Sequence, residues 1–226
     1  MSATRTHFEV ELEELRNNLL KMGGLADRSV ADSMRALSER SVELAEVVID
    51  FDDQIDDLDV AIEAQCMRLI ALQNPLGRDL RLVGTVLKAI TDLERIGDHA
   101  VDIAKVARKL ARMEKHHELA DLNKMAASVR EMLRTALEAF VRHDLTLVHA
   151  AVQADDEVDD LFHIVREDIH RAMQSDPALV VEGSYLLFTA HYLERMADHA
   201  VNIAERVHYV ETGELTQLAK SHKANS

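Results

Sequence analysis

The chain has 226 residues, 47% of them apolar, so it is long enough to form one large or two small domains with a sizeable core. Its net charge of −15 argues against nucleic acid or an anionic membrane as the main partner, because both require a basic surface. Glycine (7 residues), proline (2) and aromatic residues (4%) are scarce, and this composition favours an all-helical protein.

Apolar residues recur every three or four positions through most of the first half, as expected of amphipathic helices. The stripe over residues 8–37 predicts one long first helix that continues through Gly23–Gly24. A break at Ser38–Ser41 precedes a second helix over about residues 42–73. Ser41 is the predicted N-cap of that helix, since a serine hydroxyl accepts a hydrogen bond from the first helical turn.

The two prolines of the chain mark the turns that follow the second helix of each half. Asn74–Pro75 has the pattern of an N-cap followed by a proline at the first helical position, so a third helix is predicted from here to about Met113. The second half repeats this plan, with Asp144 as the N-cap of its second helix and Asp176–Pro177 at the place of Asn74–Pro75. The polar stretch 112–118 is the predicted junction.

The sequence therefore predicts an all-α fold of two tandem antiparallel three-helix bundles, six helices in all, related by internal duplication. We expect the first three-helix repeat over residues 1–113 and the second over residues 114–226. The second and third helices of each repeat are predicted to be long, about 30–38 residues or about 50 Å at 1.5 Å per residue.

One segment occurs twice, a hundred residues apart, and it carries polar residues as well as the apolar stripe. Residues 92–104 read DLERIGDHAVDIA and residues 192–204 read YLERMADHAVNIA, which are identical at nine of 13 positions. The identical positions include three charged residues and a histidine in each copy: Glu94, Arg95, Asp98 and His99, and Glu194, Arg195, Asp198 and His199. A duplicated polar arrangement indicates a duplicated site, whereas an apolar stripe alone would indicate only a duplicated fold.

The second helix of each repeat carries an acidic motif at a matching height. Residues 52–58 read DDQIDDL and residues 155–161 read DDEVDDL, so each helix has aspartates four positions apart on one face. Each second helix turns back near a proline into the third. In the first repeat, two acidic pairs across this turn, 56 with 94 and 52 with 98, are both centred on position 75. In the second repeat the corresponding pairs are both centred on position 176.5.

Four carboxylates are therefore predicted to converge in each repeat, because both arms of the hairpin rise equally per residue. The candidate metal ligands are Asp52, Asp56, Glu94 and Asp98 in the first repeat and Asp155, Asp159, Glu194 and Asp198 in the second. Such a set is unfavourable unless it is protonated, directed into water or bound to cations. Oxygen ligands favour Mg²⁺, Mn²⁺, Ca²⁺ or Fe, and the count is compatible with more than one ion per site. The alternative is an ordinary solvated acidic face on each helix.

Further residues extend these acidic faces. Asp59 and Asp102 continue the first, and His191 and Asn202 continue the second, so these four are possible additional ligands. The counterpart of Asp59 is Phe162, which indicates that the two sites need not be equal. His191 either ligates through nitrogen or serves as an ordinary hydrogen-bonding residue.

The duplicated histidines and arginines have other predicted roles. His99 and His199 lie about 100° round the helix from the preceding aspartate, so we interpret them as packing or supporting residues and not as ligands. Arg95 and Arg195 are predicted to form salt bridges that brace the aspartate three positions later, or Asp102.

One apparent metal motif is interpreted as accidental. Glu167 and His170 make an E-x-x-H pair, the spacing of di-iron carboxylate bundles, and Glu114 and His117 repeat this spacing in the junction. That architecture requires two inward-facing motifs of this kind and two more glutamates. The sequence has no Walker loop, nucleophile elbow, zinc CxxC pair or dinucleotide glycine motif.

Together these motifs resemble the PhoU family of phosphate-specific transport accessory and regulatory proteins. The resemblance rests on D-x-x-x-D in each second helix, on Pro75 followed by Asp79–Leu80–Arg81, and on the L-E-R-x-x-D-H motif of each repeat. It covers essentially the whole chain. It implies two three-helix bundles with multinuclear metal sites at the eight carboxylates named above, filled by Fe, Zn, Mn or Mg. Asp79–Leu80–Arg81 has no counterpart in the second repeat, where Val181–Glu182–Gly183 stands.

The resemblance also implies a cytoplasmic, often dimeric regulator with no enzymatic activity. Its partners are expected to be the ATPase of the Pst phosphate ABC transporter and a phosphate-sensing histidine kinase, and its effect is expected to be repression of the phosphate regulon when phosphate is plentiful. The single Cys66 suits a reducing compartment, and neither a signal peptide nor a run of about 18 apolar residues is present. We therefore expect no membrane insertion and no nucleic acid partner.

Two rival functions stay open from the sequence. A carboxylate-ligated metalloenzyme, such as a di-iron oxidase or a phosphohydrolase, would need an open metal position for its substrate. A metal-free helical scaffold would keep its acidic faces in water.

Overall fold

The computed structural model describes residues 3–113 and 120–219, and every regular element in these ranges is helical. The helices in chain order are α1 (Ala3–Glu39), α2 (Val42–Phe51), α3 (Asp53–Gln73), α4 (Arg78–Leu110), α5 (Ala120–Arg142), α6 (Leu145–Gln153), α7 (Asp155–Ser175) and α8 (Val180–Thr212), with a 3₁₀ turn at Pro177–Leu179 before α8. If α2 with α3 and α6 with α7 are each counted as one interrupted helix, the described residues form the six predicted helices. None of these helices combines the length and apolarity needed to cross a membrane.

The prediction of one uninterrupted second helix over residues 42–73 is wrong, because the helix is interrupted at Asp52. The backbone of Asp52 stays helical, with φ −61° and ψ −34°. Its carbonyl accepts hydrogen bonds from Ile55 N at 2.7 Å and from Asp56 N at 3.1 Å, so this turn is tightened towards 3₁₀ geometry. In the second repeat the break falls at Ala154, immediately before Asp155. Each repeat therefore places its first predicted ligand at an irregular turn.

The loops that end α1 and α5 have the same construction. Arg40 and His143 have left-handed backbones, with φ 51° and 57°, as is common for the residue that follows a helix. The predicted N-caps are confirmed, because the side chains of Ser41 and Asp144 accept hydrogen bonds from backbone N–H groups in the first turns of α2 and α6. The two repeats thus begin their second helices in the same way.

The two prolines do not have the same role. The prediction for Asn74–Pro75 is wrong: Asn74 has φ 45° and ends α3, and α4 begins only after Gly77, which has φ 57°. Asparagine suits a left-handed position after a helix as well as an N-cap, so the residue type did not separate the two. At Asp176–Pro177 the pattern holds, because the aspartate caps a 3₁₀ turn that starts with the proline and leads into α8.

Helices α4 and α8 pack against each other in opposite directions through the middle of the molecule. Arg78 meets Glu211 at one end, and the ring of His99 stacks on that of Tyr192 nearer the centre. Helix α1 packs on α4, α5 packs on α8, and α1 and α5 also contact each other. Buried apolar side chains from both halves form one continuous cluster. The predicted boundary after residue 113 adjoins residues 114–119, which lie outside the described residues, so the division at that point stays a prediction.

Helix α1 runs unbroken through Gly23–Gly24, as predicted. Gly23 is required by packing, since a Cβ added there would lie 2.4 Å from Leu137 Cδ1 of α5. Gly24 faces open space, with no atom within 4 Å of an added Cβ. Gly23 therefore marks a close contact between the two repeats, and Gly24 does not.

Candidate functional site

The first acidic cluster lies where the break before α3 faces the middle of α4. Gly97 makes this approach possible, since a Cβ added to it would lie 2.9 Å from Asp52 Oδ1. Asp52 Oδ1 is buried and has no hydrogen-bond partner among the described residues. Burial, followed by the charges of Asp56, Asp98 and Glu94 in that order, raises the pKa of Asp52 to about 6. The four carboxylates predicted for the first repeat therefore lie within electrostatic reach of one another.

An arginine offsets part of the repulsion in this cluster. Burial and then the charge of Asp98 raise the pKa values of both Asp56 and Glu94. Arg95 Nη1 donates a hydrogen bond to Asp98 Oδ2 at 2.8 Å, and Arg95 Nε lies 3.4 Å from Glu94 Oε2. The predicted salt bridge between Arg95 and the aspartate three positions later is confirmed. The Asp98 side chain is 42% exposed, so this ion pair faces solvent.

The second acidic cluster contains Asp155, Asp159, Glu194 and Asp198. Asp155 is buried at the first position of α7, with 6% of its surface exposed. Glu194 Oε2 is buried and accepts no hydrogen bond from the described residues. Burial raises the pKa of Glu194, and the charges of Asp198 and Asp159 contribute in the same direction. Asp155 and Asp198 line one cavity of about 260 Å³.

The salt bridge between Arg95 and Asp98 in the first cluster has a counterpart in the second cluster. Arg195 Nη1 donates to Asp198 Oδ2 at 3.0 Å, which confirms the second predicted salt bridge. His191 Nδ1 lies 3.5 Å from Glu194 Oε2, so His191 borders the cluster. The charges of Arg195 and His191 oppose the rise in the pKa of Glu194.

The other possible ligands are placed in different surroundings. Asp59 borders the first cluster: burial and then the charge of Glu63 raise its pKa, and its own charge acts on Glu94. Asp102 accepts a hydrogen bond from Lys105 Nζ at 3.1 Å. Asn202 donates to Asp92 Oδ1 of the other repeat at 3.1 Å.

The duplicated histidines meet at the contact between α4 and α8. Their ring centroids are 6.0 Å apart. His199 Nδ1 lies 2.9 Å from Asp92 Oδ1, and His99 stacks on Tyr192 at 5.5 Å. Burial lowers the pKa of His99, and the neighbouring His199 lowers it further. Their interpretation as packing residues is confirmed, and Asp92 and Tyr192, which stand at equivalent positions of the two repeats, complete the contact.

The E-x-x-H pair at Glu167 and His170 forms no inward-facing site, because both residues are exposed on α7. The second pair, at Glu114 and His117, lies outside the described residues.

Sequence reasoning missed two guanidinium contacts that connect the repeats. Arg40 pairs with the fully buried Glu182, and its Nη1 donates to the carbonyls of Leu110 and Met113 at the end of α4. Arg81 donates from Nε and Nη2 to the carbonyl of Val210 near the end of α8. The lack of a counterpart for Arg81 in the second repeat was a signal that this residue has a special role, whereas nothing in the pattern distinguished Arg40.

The carboxylate oxygens of both clusters fit a hard cation, although they do not surround one point. No group of three or more His, Cys, Asp or Glu side chains among the described residues is arranged to hold a metal ion. Arg95 forms an ion pair with Asp98 in the first cluster, and Arg195 forms one with Asp198 in the second. Asp52 Oδ1 and Glu194 Oε2 are buried and accept no hydrogen bond from the described residues, so they are nevertheless oxygens that a cation would satisfy.

Both repeats match the same known protein family. A family model described as the PhoU domain matches residues 19–107 and 122–207. A phosphate-specific transport system accessory protein PhoU homolog from Clostridium acetobutylicum is 40% identical over 217 residues, which cover 95% of this chain and 99% of the relative. A homolog of the same name from Streptococcus pneumoniae is 34% identical over 214 residues, covering 95% and 99% of the two chains.

Solved structures agree with the fold. The crystal structure of PhoU from Pseudomonas aeruginosa matches with a TM-score of 0.88 at 35% identity, and the match covers 92% of this chain and 100% of that one. The phosphate transport system regulatory protein PhoU from Streptococcus pneumoniae matches with a TM-score of 0.85 at 34% identity over 92% and 99% of the two chains. These matches confirm the predicted tandem helical fold and the internal repeat.

Proposed function

The chain belongs to the PhoU family, and on this premise we propose that it is an accessory and regulatory protein of a phosphate-specific transport system. Curated relatives named for that system are between 32% and 40% identical to it over at least nine-tenths of its length. Both repeats take part in these matches, so the similarity extends over the segments that carry the two acidic clusters.

We further propose that the two acidic clusters bind divalent metal ions, one or more at each cluster, with Fe, Zn, Mn and Mg as the candidates. The ligands in this proposal are Asp52, Asp56, Glu94 and Asp98, and Asp155, Asp159, Glu194 and Asp198, with Asp59, Asp102, His191 and Asn202 as possible additions. The observation that carries the proposal is the buried Asp52 Oδ1, which has no partner among the described residues and lies among three other carboxylates. A bound ion would supply the positive charge that such a set lacks.

The consequence of binding follows from the positions of the ligands on the helices. In the first repeat Asp52 and Asp56 lie at the start of α3, and Glu94 and Asp98 lie in the middle of α4. Neutralising these four charges removes a repulsion between the two helices. We propose that the ions hold the second and third helices of each repeat in register and so shape a docking face.

The partners proposed for that face are the ATPase of a phosphate ABC transporter and a phosphate-sensing histidine kinase. The relatives' names support the association with a transport system. The direction of control, repression of the phosphate regulon when phosphate is plentiful, is part of the proposal, as are a homodimeric state and a cytoplasmic site of action.

We propose no enzymatic activity for the protein. The relatives are named as accessory and regulatory proteins. The arginine side chains nearest the carboxylates, Arg95 and Arg195, form salt bridges with Asp98 and Asp198. The rival metalloenzyme predicts turnover that depends on Glu94 or Glu194. The rival scaffold predicts that the purified protein contains no metal.

Elemental analysis of the native protein beside the variant Asp98→Ala/Asp198→Ala tests the metal proposal. We expect bound metal in the native protein and a loss of at least half of it in the variant. If the native protein contains no metal after incubation with each candidate ion, the metal proposal is wrong and the metal-free scaffold is supported.

A second experiment tests the link between metal and partner. The affinity for the isolated transporter ATPase is measured by calorimetry with metal-loaded and with metal-free protein. We expect tighter binding by the loaded protein, and equal affinities would contradict the idea that the ions shape the docking face.

A further inference from the structure

A cleft of about 500 Å³ lies between α4 and α8, beside the second acidic cluster. Lys88, Thr91 and Asp92 of α4 form one wall, and Asn202, Glu205 and Arg206 of α8 form the other. Residues 215–217, which follow α8, close its outer side. None of the eight carboxylates proposed as metal ligands lines this cleft, although Asn202, Glu205 and Gln217 also line the cavity that contains Asp155 and Asp198. The volume of the cleft is typical of small-molecule sites.

Two cations in the cleft form no ion pair or side-chain hydrogen bond with the described residues. These are Lys88 and Arg206, in a chain that has 41 acidic and 26 basic residues. Thr85 Oγ1 donates to the backbone carbonyl of Arg206 at 3.3 Å, so the two basic residues lie within about one helical turn of each other across the two helices. Their charges are therefore available to a ligand that enters the cleft.

The two acidic residues of the cleft, Asp92 and Glu205, form hydrogen bonds with groups other than these two cations. Asp92 Oδ1 is bonded to both His199 and Asn202. Glu205 Oε1 accepts a hydrogen bond from Ala219 N. The cleft thus contains two cations without an ion pair among the described residues and two carboxylates that are bonded to other groups.

Neutral hydrogen-bonding groups also line the cleft. The hydroxyls of Thr91 and Thr216 and the amide of Gln217 line the cleft, and none of them is bonded to another described residue. Such groups suit the hydroxyls of a sugar or polyol. Guanidinium and ammonium groups together suit a phosphate.

We propose that this cleft binds a phosphorylated small molecule that carries hydroxyl groups, with its phosphate at Lys88 and Arg206 and its hydroxyls at Thr91, Thr216 and Gln217. The site goes beyond the proposed metal binding and does not depend on it. Inorganic phosphate shares the anionic chemistry, so the probes must separate a free phosphate from a phosphate ester.

Calorimetric titration of the full-length, metal-free protein tests this site with four probes: inorganic phosphate, ribose 5-phosphate, adenosine 5′-monophosphate and adenosine. We expect the two phosphate esters to bind more tightly than inorganic phosphate, and adenosine not to bind. The variant Lys88→Gln/Arg206→Gln should weaken binding of the esters by about tenfold or more, because each charged hydrogen bond is lost.

The variant Lys21→Gln/Lys109→Gln is the matched control. It removes the same charge from two exposed residues that lie outside the cleft and have no described partner. It should bind the esters like the native protein, and circular dichroism checks that both variants stay folded. Failure of every phosphate probe to bind, or equal weakening in the two variants, would overturn the proposal. Binding of inorganic phosphate at least as tightly as the esters would contradict the proposal that the ligand carries hydroxyl groups. Each of these results leaves the metal proposal untouched, because the protein is metal-free throughout.

Discussion

The two repeats keep the same carboxylates and the same arginine brace, but they differ in what surrounds them. In both, Nη1 of the arginine donates to the aspartate three residues later, at 2.8 Å in the first repeat and 3.0 Å in the second. In the first repeat Gly97 lets Asp52 press against α4, and an oxygen of Asp52 is left without a partner. The second repeat has Ala197 at that place, and there the unpartnered oxygen belongs to Glu194.

The segment that follows α8 borders the second cluster. The cavity that contains Asp155 and Asp198 is also lined by Gln217 and Ala219, from the segment after α8. The residues at the corresponding positions after α4 lie outside the described residues. The duplication has therefore preserved the acidic residues and their arginine salt bridges, while the helix contact beside each cluster has changed, with Gly97 in the first repeat and Ala197 in the second.

The largest expected effect comes from Arg40, which has a weaker counterpart in the second repeat. Arg40 pairs with the buried Glu182 and caps the end of α4, so Arg40→Met should destabilise the protein by about 3–5 kcal/mol, since it leaves a buried carboxylate without its cation. His143, which ends α5 as Arg40 ends α1, pairs with the partly exposed Glu211 at 2.9 Å. His143→Ala should cost about 1 kcal/mol or less.

Urea unfolding followed by circular dichroism measures both changes. The double variant Arg40→Met/Glu182→Met should recover most of the loss, because it removes the buried charge together with its partner. Equal decreases in the free energy of unfolding for the Arg40 and His143 variants would contradict the expectation that the Arg40–Glu182 pair contributes more than the His143–Glu211 pair.

A smaller effect is expected from Gly97, whose counterpart in the second repeat is Ala197. In Gly97→Ala the new Cβ would meet Asp52 Oδ1 at 2.9 Å and Ile55 Cδ1 at 3.0 Å, so the gain in helix propensity is offset by displaced side chains. Gly84→Ala, on the same helix, meets nothing within 4 Å and should stabilise the protein by about 0.5–1 kcal/mol.

The free energies of unfolding of these two variants should differ by about 1–2 kcal/mol, with Gly97→Ala the less stable. An equal gain from both would show that α4 does not need a glycine opposite Asp52.

The smallest stability effect is the pH dependence contributed by Asp52. Its pKa is raised from 3.8 to about 6 in the folded protein, so protonation favours folding. This contribution is fully present below pH 3.8 and is lost as the pH rises to about 6. In metal-free protein, Asp52→Asn should stabilise by roughly 1 kcal/mol above pH 6, after allowance for partial exposure of the carboxylate, and should have no effect near pH 3.5.

Thermal unfolding between pH 3.5 and pH 8 measures this profile, with Asp57→Asn, an exposed neighbour on α3, as the control. A shift in stability that is the same at every pH would contradict the raised pKa of Asp52.

The sequence was informative wherever a pattern had one physical solution. Apolar periodicity predicted the long helices, and mirrored spacing about the prolines predicted that Asp52 and Asp98 would come together. Patterns with two solutions misled, as at Asn74, where an asparagine that can begin a helix ends one. The break at Asp52 was not predictable, because its backbone dihedrals are helical and only the tightened hydrogen bonds mark it. Arg40 was missed since its partner Glu182 lies 142 residues away in the sequence.

The central claim is that each repeat holds metal at its own acidic cluster. Elemental analysis of protein equilibrated with Fe, Zn, Mn or Mg and then desalted tests it directly, with Asp52→Asn/Asp98→Asn for the first cluster and Asp155→Asn/Asp198→Asn for the second. We predict that each double variant loses the metal of one repeat and retains that of the other, and that the combined variant binds none. Native protein without metal, or double variants that keep the full native content, would contradict the claim.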